Sequence, residues 1–331
     1  MHSSVTNIIR TNQIVVSDKV TRTVEGIASN PDIPAIIHGE TGTGKEEIAK
    51  LIHKRRCELS GRIIPCVPVN CALLSKSSLA QSKLFGHQKG AFTGAITTTD
   101  GFIGQANGGI LFLDEAHTLS LENQQGLLRV MNDGSYYRVG GSQQLQSSFQ
   151  TIVATTKNLE KEVEEGRFLL DLLTRIYGAD IKLTPLREKS FDEIRNLIEV
   201  FFAQKKIIVP SHALNGITKR CQGYYWQGNI RLLFQALRLL VMRADQAGEG
   251  YTAEHLPELG LMYGPKKARS ENYASKIMSE DGFGLKDAVA SYERKLIKIV
   301  SEKTKTLGEA ANLLNISRSS FDSKRKSYGL A

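Results

Sequence analysis

The sequence predicts an α/β protein: a parallel sheet between helices, then an all-helical subdomain and a small basic module at the C-terminus. Three observations carry this expectation. A short apolar run from Ala35 opens onto a glycine-rich turn and then a segment of helical periodicity. A second apolar run, Gly108–Leu113, ends in the carboxylates Asp114 and Glu115. From Ser190 to about Asp245 the periodicity is helical, interrupted at Tyr224–Arg231, and the tail from Leu285 has a helical logic of its own. At 331 residues the chain is long enough for two or three domains with real cores.

After a polar lead, Val20–Ala28 is weakly amphipathic and is ended by Pro31 and Pro34. Gly39 to Lys45 then fits the first seven positions of the phosphate-loop pattern, G-x-x-x-x-G-K. Gly39, Gly42 and Gly44 let the backbone curl so that successive N–H groups point at an anion. The helix N-terminus that follows adds partial positive charge, and Lys45 reaches the outer phosphates. Position 46 is Glu where the pattern has Ser or Thr, so the usual hydroxyl ligand for Mg²⁺ is missing. Ile48, Leu51 and Ile52 mark one face of a helix closing around Lys54–Cys57, and Ile63–Val69 reads as a second strand. Strand, helix, strand at this spacing implies parallel pairing.

In Leu84–Ala95 small residues surround Phe92 and Thr93, which by composition alone describes a mobile turn. Gly108–Glu115 is a buried strand, and the C-terminal ends of such strands face the ligand crevice. There Asp114 is placed to hold Mg²⁺ through its water shell, and Glu115 to orient or deprotonate an attacking water. Acidic residues at a strand end can also merely cap the next helix. A phosphate loop followed by this pair is far more specific than either half, and it points to nucleotide hydrolysis. Ser147–Thr156 is another buried strand, with polar Thr155 and Thr156 at its end.

The tail reads as a helix-turn-helix. Ala288, Tyr292, Leu296 and Ile299 form one helical stripe, and Thr306–Glu309 is a capping-box pattern starting a helix with Ala310, Leu313 and Leu314 inward. After a turn at Asn315-Ile316, Ser317 caps a helix carrying Arg318, Phe321, Lys324, Arg325 and Lys326, stopped by Tyr328-Gly329. Base readout would fall to Ser317, Arg318, Ser319 and Ser320 at that helix's N-terminus, with Lys324, Arg325 and Lys326 on phosphates. The competing reading is a three-helix packing module with a solvated basic face. Residues 285–331 hold ten Lys/Arg against five Asp/Glu, about half of the chain's net charge of +9, which fits a polyanionic partner such as double-stranded DNA.

Composition excludes other classes. No apolar run approaches membrane-spanning length, and residues 1–10 show no charged-then-apolar signal pattern, so a cytoplasmic protein is expected. Cys57, Cys66, Cys71 and Cys221 lack metal-site spacing and read as reduced, structural thiols.

Taken together, these motifs resemble the AAA+ sigma-54-dependent transcriptional activators (bacterial enhancer-binding proteins) from about residue 10 to the end. Gly39-Glu40-Thr41-Gly42-Thr43-Gly44-Lys45-Glu46 is similar to that family's Walker A, where Glu at position 46 is the normal variant. Gly90-Ala91-Phe92-Thr93-Gly94-Ala95 resembles the loop by which the family engages sigma-54, and Gly109–Glu115 its Walker B. Asn70 falls where family members carry an Asn thought to couple nucleotide state to that loop. Gly228-Asn229-Ile230-Arg231 resembles sensor II, Thr155 and Thr156 stand at sensor I, and the tail resembles a Fis-type helix-turn-helix. The resemblance implies an ATPase with ATP and Mg²⁺ as cofactors, partnered by sigma-54 RNA polymerase and upstream DNA, in a ring, expected to be a hexamer. Arg175 would reach a neighbour's nucleotide and Arg231 would sense the γ-phosphate from a lid.

The implied domains are a tail (1–10), the nucleotide-binding subdomain (11–180), the lid (181–258), a linker (259–284) and the DNA-binding module (285–331). No sensory domain is expected before residue 10, which leaves control to a partner in trans, to expression level or to nucleotide supply.

The departures from the pattern are specific. Leu169 replaces the first of two arginines before the lid, Thr156 replaces the sensor I Asn, and Gln227 replaces a proline after Trp226. Gln81-Ser82-Lys83 replaces Glu-Ser-Glu ahead of the loop. They leave open a weakly hydrolysing DNA-bound regulator working with a paralogue in a mixed ring; a third reading, an AAA+ remodeller acting on replication or another target, is disfavoured by the intact loop at residues 90–95.

Overall fold

In the computed structural model the described residues are 17–75, 77, 79–257, 290, 293–294, 296–297, 300–301, 304, 306–314 and 316–329. Internal contacts divide the chain into two compact units, 1–266 and 267–331.

The first unit is built on five parallel strands in the order β2–β3–β6–β1–β7, with β1 Ala35–His38, β2 Cys66–Asn70, β3 Ile110–Asp114, β6 Gln150–Thr155 and β7 Ala179–Lys182. Alternation along the central strands splits the apolar side chains between two cores. Ile37, Ile110, Phe112 and Ile152 meet helices α1 (Asp18–Ser29) and α2 (Lys45–Ser60), while Ile36, Leu111, Leu113 and Val153 face the other side. Both faces are covered, which is why these strands read as continuous apolar runs.

On that second side lie short helices α3 (Cys71–Leu74), α4 (Ala80–Phe85) and α5 (Phe102–Gln105), helix α6 (Leu121–Asp133), and α7 (Leu159–Glu164) with α8 (Leu170–Ile176). A small antiparallel pair, β4 (Ser135–Tyr137) with β5 (Gln144–Gln146), follows α6.

The helical stretch predicted from Ser190 is three helices: α9 Phe191–Gln204, α10 Ser211–Gln222 and α11 Asn229–Ala247. Ser190 and Glu193 form a complete capping box at α9. The break before α10, not only the one at 224–231, corrects the sequence reading; Pro210 precludes a continuous helix there. The second strand begins at Cys66 rather than Ile63, which is 92% exposed. Pro65 closes it off, offering only its carbonyl to the Ile110 amide. Helix α2 runs three residues past Cys57 and stops where Gly61 takes φ 66°. No helix among the described residues is long and apolar enough to cross a membrane.

The second unit holds α12 (Leu307–Leu313) and α13 (Arg318–Ser327), and just before α13 the Ile316 amide donates to the Ala311 carbonyl at 3.1 Å. Thr306 and Ser317 cap them, each side chain accepting an amide three residues on. Phe321 is fully buried against Ile297, Ala310 and Ala311, with Leu307 and Leu314 packed around. Leu313, expected inward, is 67% exposed. The face set by Leu307, Ala310, Ala311 and Leu314 follows the helical period, and Leu313, about 100° round the helix from Leu314, falls off its edge. Of the predicted stripe, Leu296 is half-buried; Ala288, Tyr292 and Ile299 lie outside the described residues, as do the linker 259–284 and the tail 1–10.

Candidate active site

The phosphate loop leaves β1 at Gly39 and enters α2 at Lys45. Gly42 and Gly44 take φ of 78° and 101°, which L side chains rarely adopt, and a Cβ on Gly42 would sit 2.1 Å from the Gly228 carbonyl oxygen. Lys45 is only 7% exposed. Its Nζ donates to the Gly39 and Glu40 carbonyls at 2.9 and 3.4 Å and lies 3.6 Å from Glu115 Oε1. Thr43 Oγ1 donates to the Glu40 carbonyl at 2.7 Å, tightening the turn.

Strand β3 delivers Asp114 and Glu115 to the same end of the sheet. A cleft of about 380 Å³ is lined by Thr41, Gly42, Gly44, Lys45, Glu46, Asn70, Asp114, Glu115 and, from α11, Arg231. Parallel register sets Asn70 beside Asp114, and Asn70 Oδ1 caps α3 by accepting from the Leu73 amide at 3.3 Å. The Arg231 amide donates to the Gly42 carbonyl at 3.3 Å, so the lid helix starts on the loop itself. Glu46 at the mouth pairs with Lys50 at 2.9 Å.

Burial, reinforced by the negative charge of Glu115 and opposed by Lys45, raises the Asp114 carboxyl above its ordinary range. Glu115 sits at φ 51°, an uncommon left-handed conformation for a non-glycine residue. Its Oε2 accepts from Thr156 Oγ1 at 3.0 Å and lies 3.5 Å from His117 Nδ1.

Not every residue singled out in the sequence comes into this cleft. Thr155 is fully buried; its hydroxyl accepts from the Lys157 amide at 3.0 Å and lies 3.2 Å from His117 Nδ1. Arg175 lies by the other ends of the strands, in a cleft of about 550 Å³ shared with Asp32, Pro34, Gln150 and Thr151. Within one chain it is therefore remote from Lys45. Leu169, at the N-cap of α8, is half-buried against the core and gives its amide to Gln124 Oε1 at 2.8 Å.

Residues Gly90–Ala95 form a tethered loop. His87 and Thr99 exchange backbone hydrogen bonds at its base, the Gln88 amide bonds the Val139 carbonyl, and Gly90 bonds Ala95 across the tip. Phe92 is half-buried, its ring 5.0 Å from that of His87, while Thr93 is exposed. Phe92 and Leu74 line a common cleft of about 400 Å³.

Residues 11–182 match the family described as "Sigma-54 interaction domain". The chain belongs to the AAA+ sigma-54-dependent activators. This sigma-54 activator is 35% identical over 326 residues to "DNA-binding transcriptional regulator NtrC" of Proteus hauseri, covering 92% of this chain and 67% of NtrC. It is 34% identical over 296 residues to "Anaerobic nitric oxide reductase transcription regulator NorR" of Vibrio vulnificus, covering 86% and 57% of the two chains. The crystal structure of NtrX from Brucella abortus in complex with ATP superposes with a TM-score of 0.61 at 26% identity, covering 94% of this chain and 67% of NtrX.

Sequence reasoning missed Arg238, which lines the candidate cleft from α11, and His117, which stands behind Glu115. His117 lies two positions after Glu115 on a short 3₁₀ turn, between Glu115 and Thr155, and burial lowers its pKa against the pull of Glu115. A histidine just past an Asp-Glu strand end was the available signal. Among the described residues no group of three His, Cys, Asp or Glu side chains is arranged to hold a metal. Asp114 and Glu115 fit an ion that takes its remaining oxygens from phosphate and water, as Mg²⁺ does.

The raised Asp114 pKa carries a sign. The folded protein prefers the neutral acid, so the ionised carboxylate costs stability above that raised pKa, and the cost vanishes below the ordinary carboxylate value. Asp114→Asn is therefore expected to raise Tm at neutral pH in the nucleotide-free protein. Scanning calorimetry giving a Tm unchanged or lowered would contradict this.

Proposed function

We propose that this sigma-54 activator uses ATP hydrolysis to remodel sigma-54 RNA polymerase from an upstream DNA site. What supports the reading is the convergence of Lys45, Asp114, Glu115 and Arg231 on one cleft at the strand ends. Loop amides and Lys45 would hold the phosphates, with the base in the narrow cleft behind Thr43, where Val20, Ile48, Leu183 and Ile230 stand beside Lys182, Lys189 and Glu193. Mg²⁺ at Asp114 would supply charge neutralisation on the phosphate oxygens. Glu115 orients the attacking water and takes its proton, while Arg231 and a neighbour's Arg175 stabilise charge on the transferred phosphoryl group. The ring this requires, expected to be a hexamer, puts Arg175's end of one sheet against the nucleotide end of the next.

The exposed Thr93 and half-buried Phe92 would press on sigma-54. In the tail, Ser317, Arg318, Ser319 and Ser320 are exposed at the start of α13 and suit base edges. Lys324 is tied to Glu293 at 2.7 Å and Arg325 lies 3.9 Å from Asp322, so DNA phosphates would have to displace internal partners.

Open-complex formation by sigma-54 polymerase on a template carrying the bound site, with ATP turnover followed in parallel, tests the whole reading. Thr93→Ala is expected to keep turnover and lose open complexes. Full activation by that variant would remove the loop from the mechanism.

A second reading, a weakly hydrolysing regulator in a mixed ring, is favoured by one observation: Leu169 packs where a first finger arginine would stand. Such an arginine is worth about 10³–10⁵ in rate. Brisk turnover by the pure protein would set this reading aside.

A further inference from the structure

The lid and the phosphate loop meet through a polar cluster that the hydrolysis scheme does not use. Glu40, second residue of the loop, receives a two-pronged contact from Arg187, with Nη2 to Oε1 at 2.6 Å and Nη1 to Oε2 at 2.7 Å. Arg187 belongs to the 3₁₀ turn Leu186–Glu188 that leads from β7 toward α9, and its guanidinium lies 4.8 Å above the Tyr225 ring.

Asn229, first residue of α11, closes the cluster. Its Nδ2 donates to Glu40 Oε2 at 3.2 Å and to the Thr41 carbonyl at 3.0 Å, and its Oδ1 accepts from the Leu186 amide at 2.8 Å. One buried amide thus joins loop, hinge turn and lid helix.

The backbone reinforces this. Trp226 and Asn229 are both fully buried and both left-handed, at φ 54° and 48°. For a bulky residue such as Trp this is a genuine outlier, held only because its surroundings over-determine it. The conformation carries Gly228 onto Gly42 and Asn229 onto Glu40 and Thr41.

The Arg187–Glu40 pair is a poor stability device, because the two side chains are 20% and 44% exposed and such pairs are screened by water. Its charge logic is local. The carbonyls of Gly39 and Glu40 hold Lys45, and the same turn is the one read as accepting a triphosphate. An uncompensated carboxylate on that turn would repel the incoming phosphates.

We propose that Arg187 and Asn229 are positioning residues for the nucleotide: they neutralise and aim Glu40 so that the phosphate loop takes its binding shape only with the lid seated. The inference rests on the nucleotide reading above. It makes the lid a determinant of phosphate affinity through Glu40, separately from Arg231.

The test is a charge-rescue cycle on the full chain, reading the Kd for Mg·AMP-PNP and the kcat and KM for ATP. Arg187→Gln leaves Glu40 without its counter-charge, only the Asn229 amide still donating to it, and is expected to weaken binding roughly tenfold, the low end for a hydrogen bond to a charged group at a half-exposed site. Glu40→Gln in that background is expected to recover most of the loss with kcat little changed. Wild-type affinity in Arg187→Gln would overturn the proposal. So would a loss that Glu40→Gln does not rescue and that follows a fall in Tm, since that marks a merely structural contact. Failure of the unaltered protein to bind Mg·AMP-PNP would instead sink the nucleotide reading itself.

Discussion

Lys45→Ala is expected to reduce ATP affinity by about 10²-fold or more and to abolish turnover, with the fold intact. The size follows from the geometry. The ammonium is 7% exposed and is held at the rim of the cleft by two loop carbonyls, so its desolvation has already been met in the folded protein. Hydrogen bonds to charged groups contribute about 1.5–3 kcal/mol each, and loss of one or two of them gives the stated factor. Stability should change little, because Glu115 keeps Thr156 as a donor at 3.0 Å and the glycine turn stands on its own backbone. Titration calorimetry with a non-hydrolysable ATP analogue measures the loss. Binding within tenfold of wild type would mean that the phosphates sit elsewhere. Lys45→Arg should not rescue, since a planar guanidinium does not fit between the Gly39 and Glu40 carbonyls as a point charge does.

The parts of this site that were legible from sequence are those where chemistry and local geometry coincide. A glycine loop must curl where Gly42 and Gly44 have positive φ, and an apolar strand with carboxylates at its end must present them at the crevice. Both requirements act over a few residues. The turn at Ser317 was legible for the same reason, since a capping serine acts on an amide three positions away.

What was not legible depends on distant contacts. β7 reads Ala-Asp-Ile-Lys, with a single fully buried side chain, and becomes a strand because β1 offers a free edge. Leu313 looked apolar enough to be inward, yet the face toward Phe321 was decided by the packing of two alanines. His117 carries no motif, and the sensor II pattern that contains Asn229 assigns a role to Arg231 and not to Asn229. Their partners, Thr155 and Glu40, lie 38 and 189 residues away in sequence. Arg175 shows the limit differently: its predicted role needs a neighbouring subunit, and a single chain leaves it at the far end of the sheet.

Glu115→Gln separates binding from chemistry. The substitution keeps size and one carbonyl oxygen for the Thr156 hydroxyl but removes the charge that polarises a water and receives its proton. General-base catalysis contributes about 10²–10⁴ in rate, so turnover is expected to fall by roughly 10³ while affinity for ATP stays within a few-fold. Binding should if anything tighten, because the carboxylate that faces Lys45 at 3.6 Å competes with the phosphates for its ammonium. The left-handed backbone at Glu115 makes the comparison cleaner, since glutamine meets the same strain as glutamate and the conformational cost cancels between the two proteins. Single-turnover hydrolysis beside equilibrium binding reads both quantities. If the loop at Phe92 is driven by the cleavage step, this variant loads nucleotide and still leaves promoters closed. Hydrolysis within tenfold of wild type would transfer the base to another group, with His117, 3.5 Å from the same carboxylate, the next to examine.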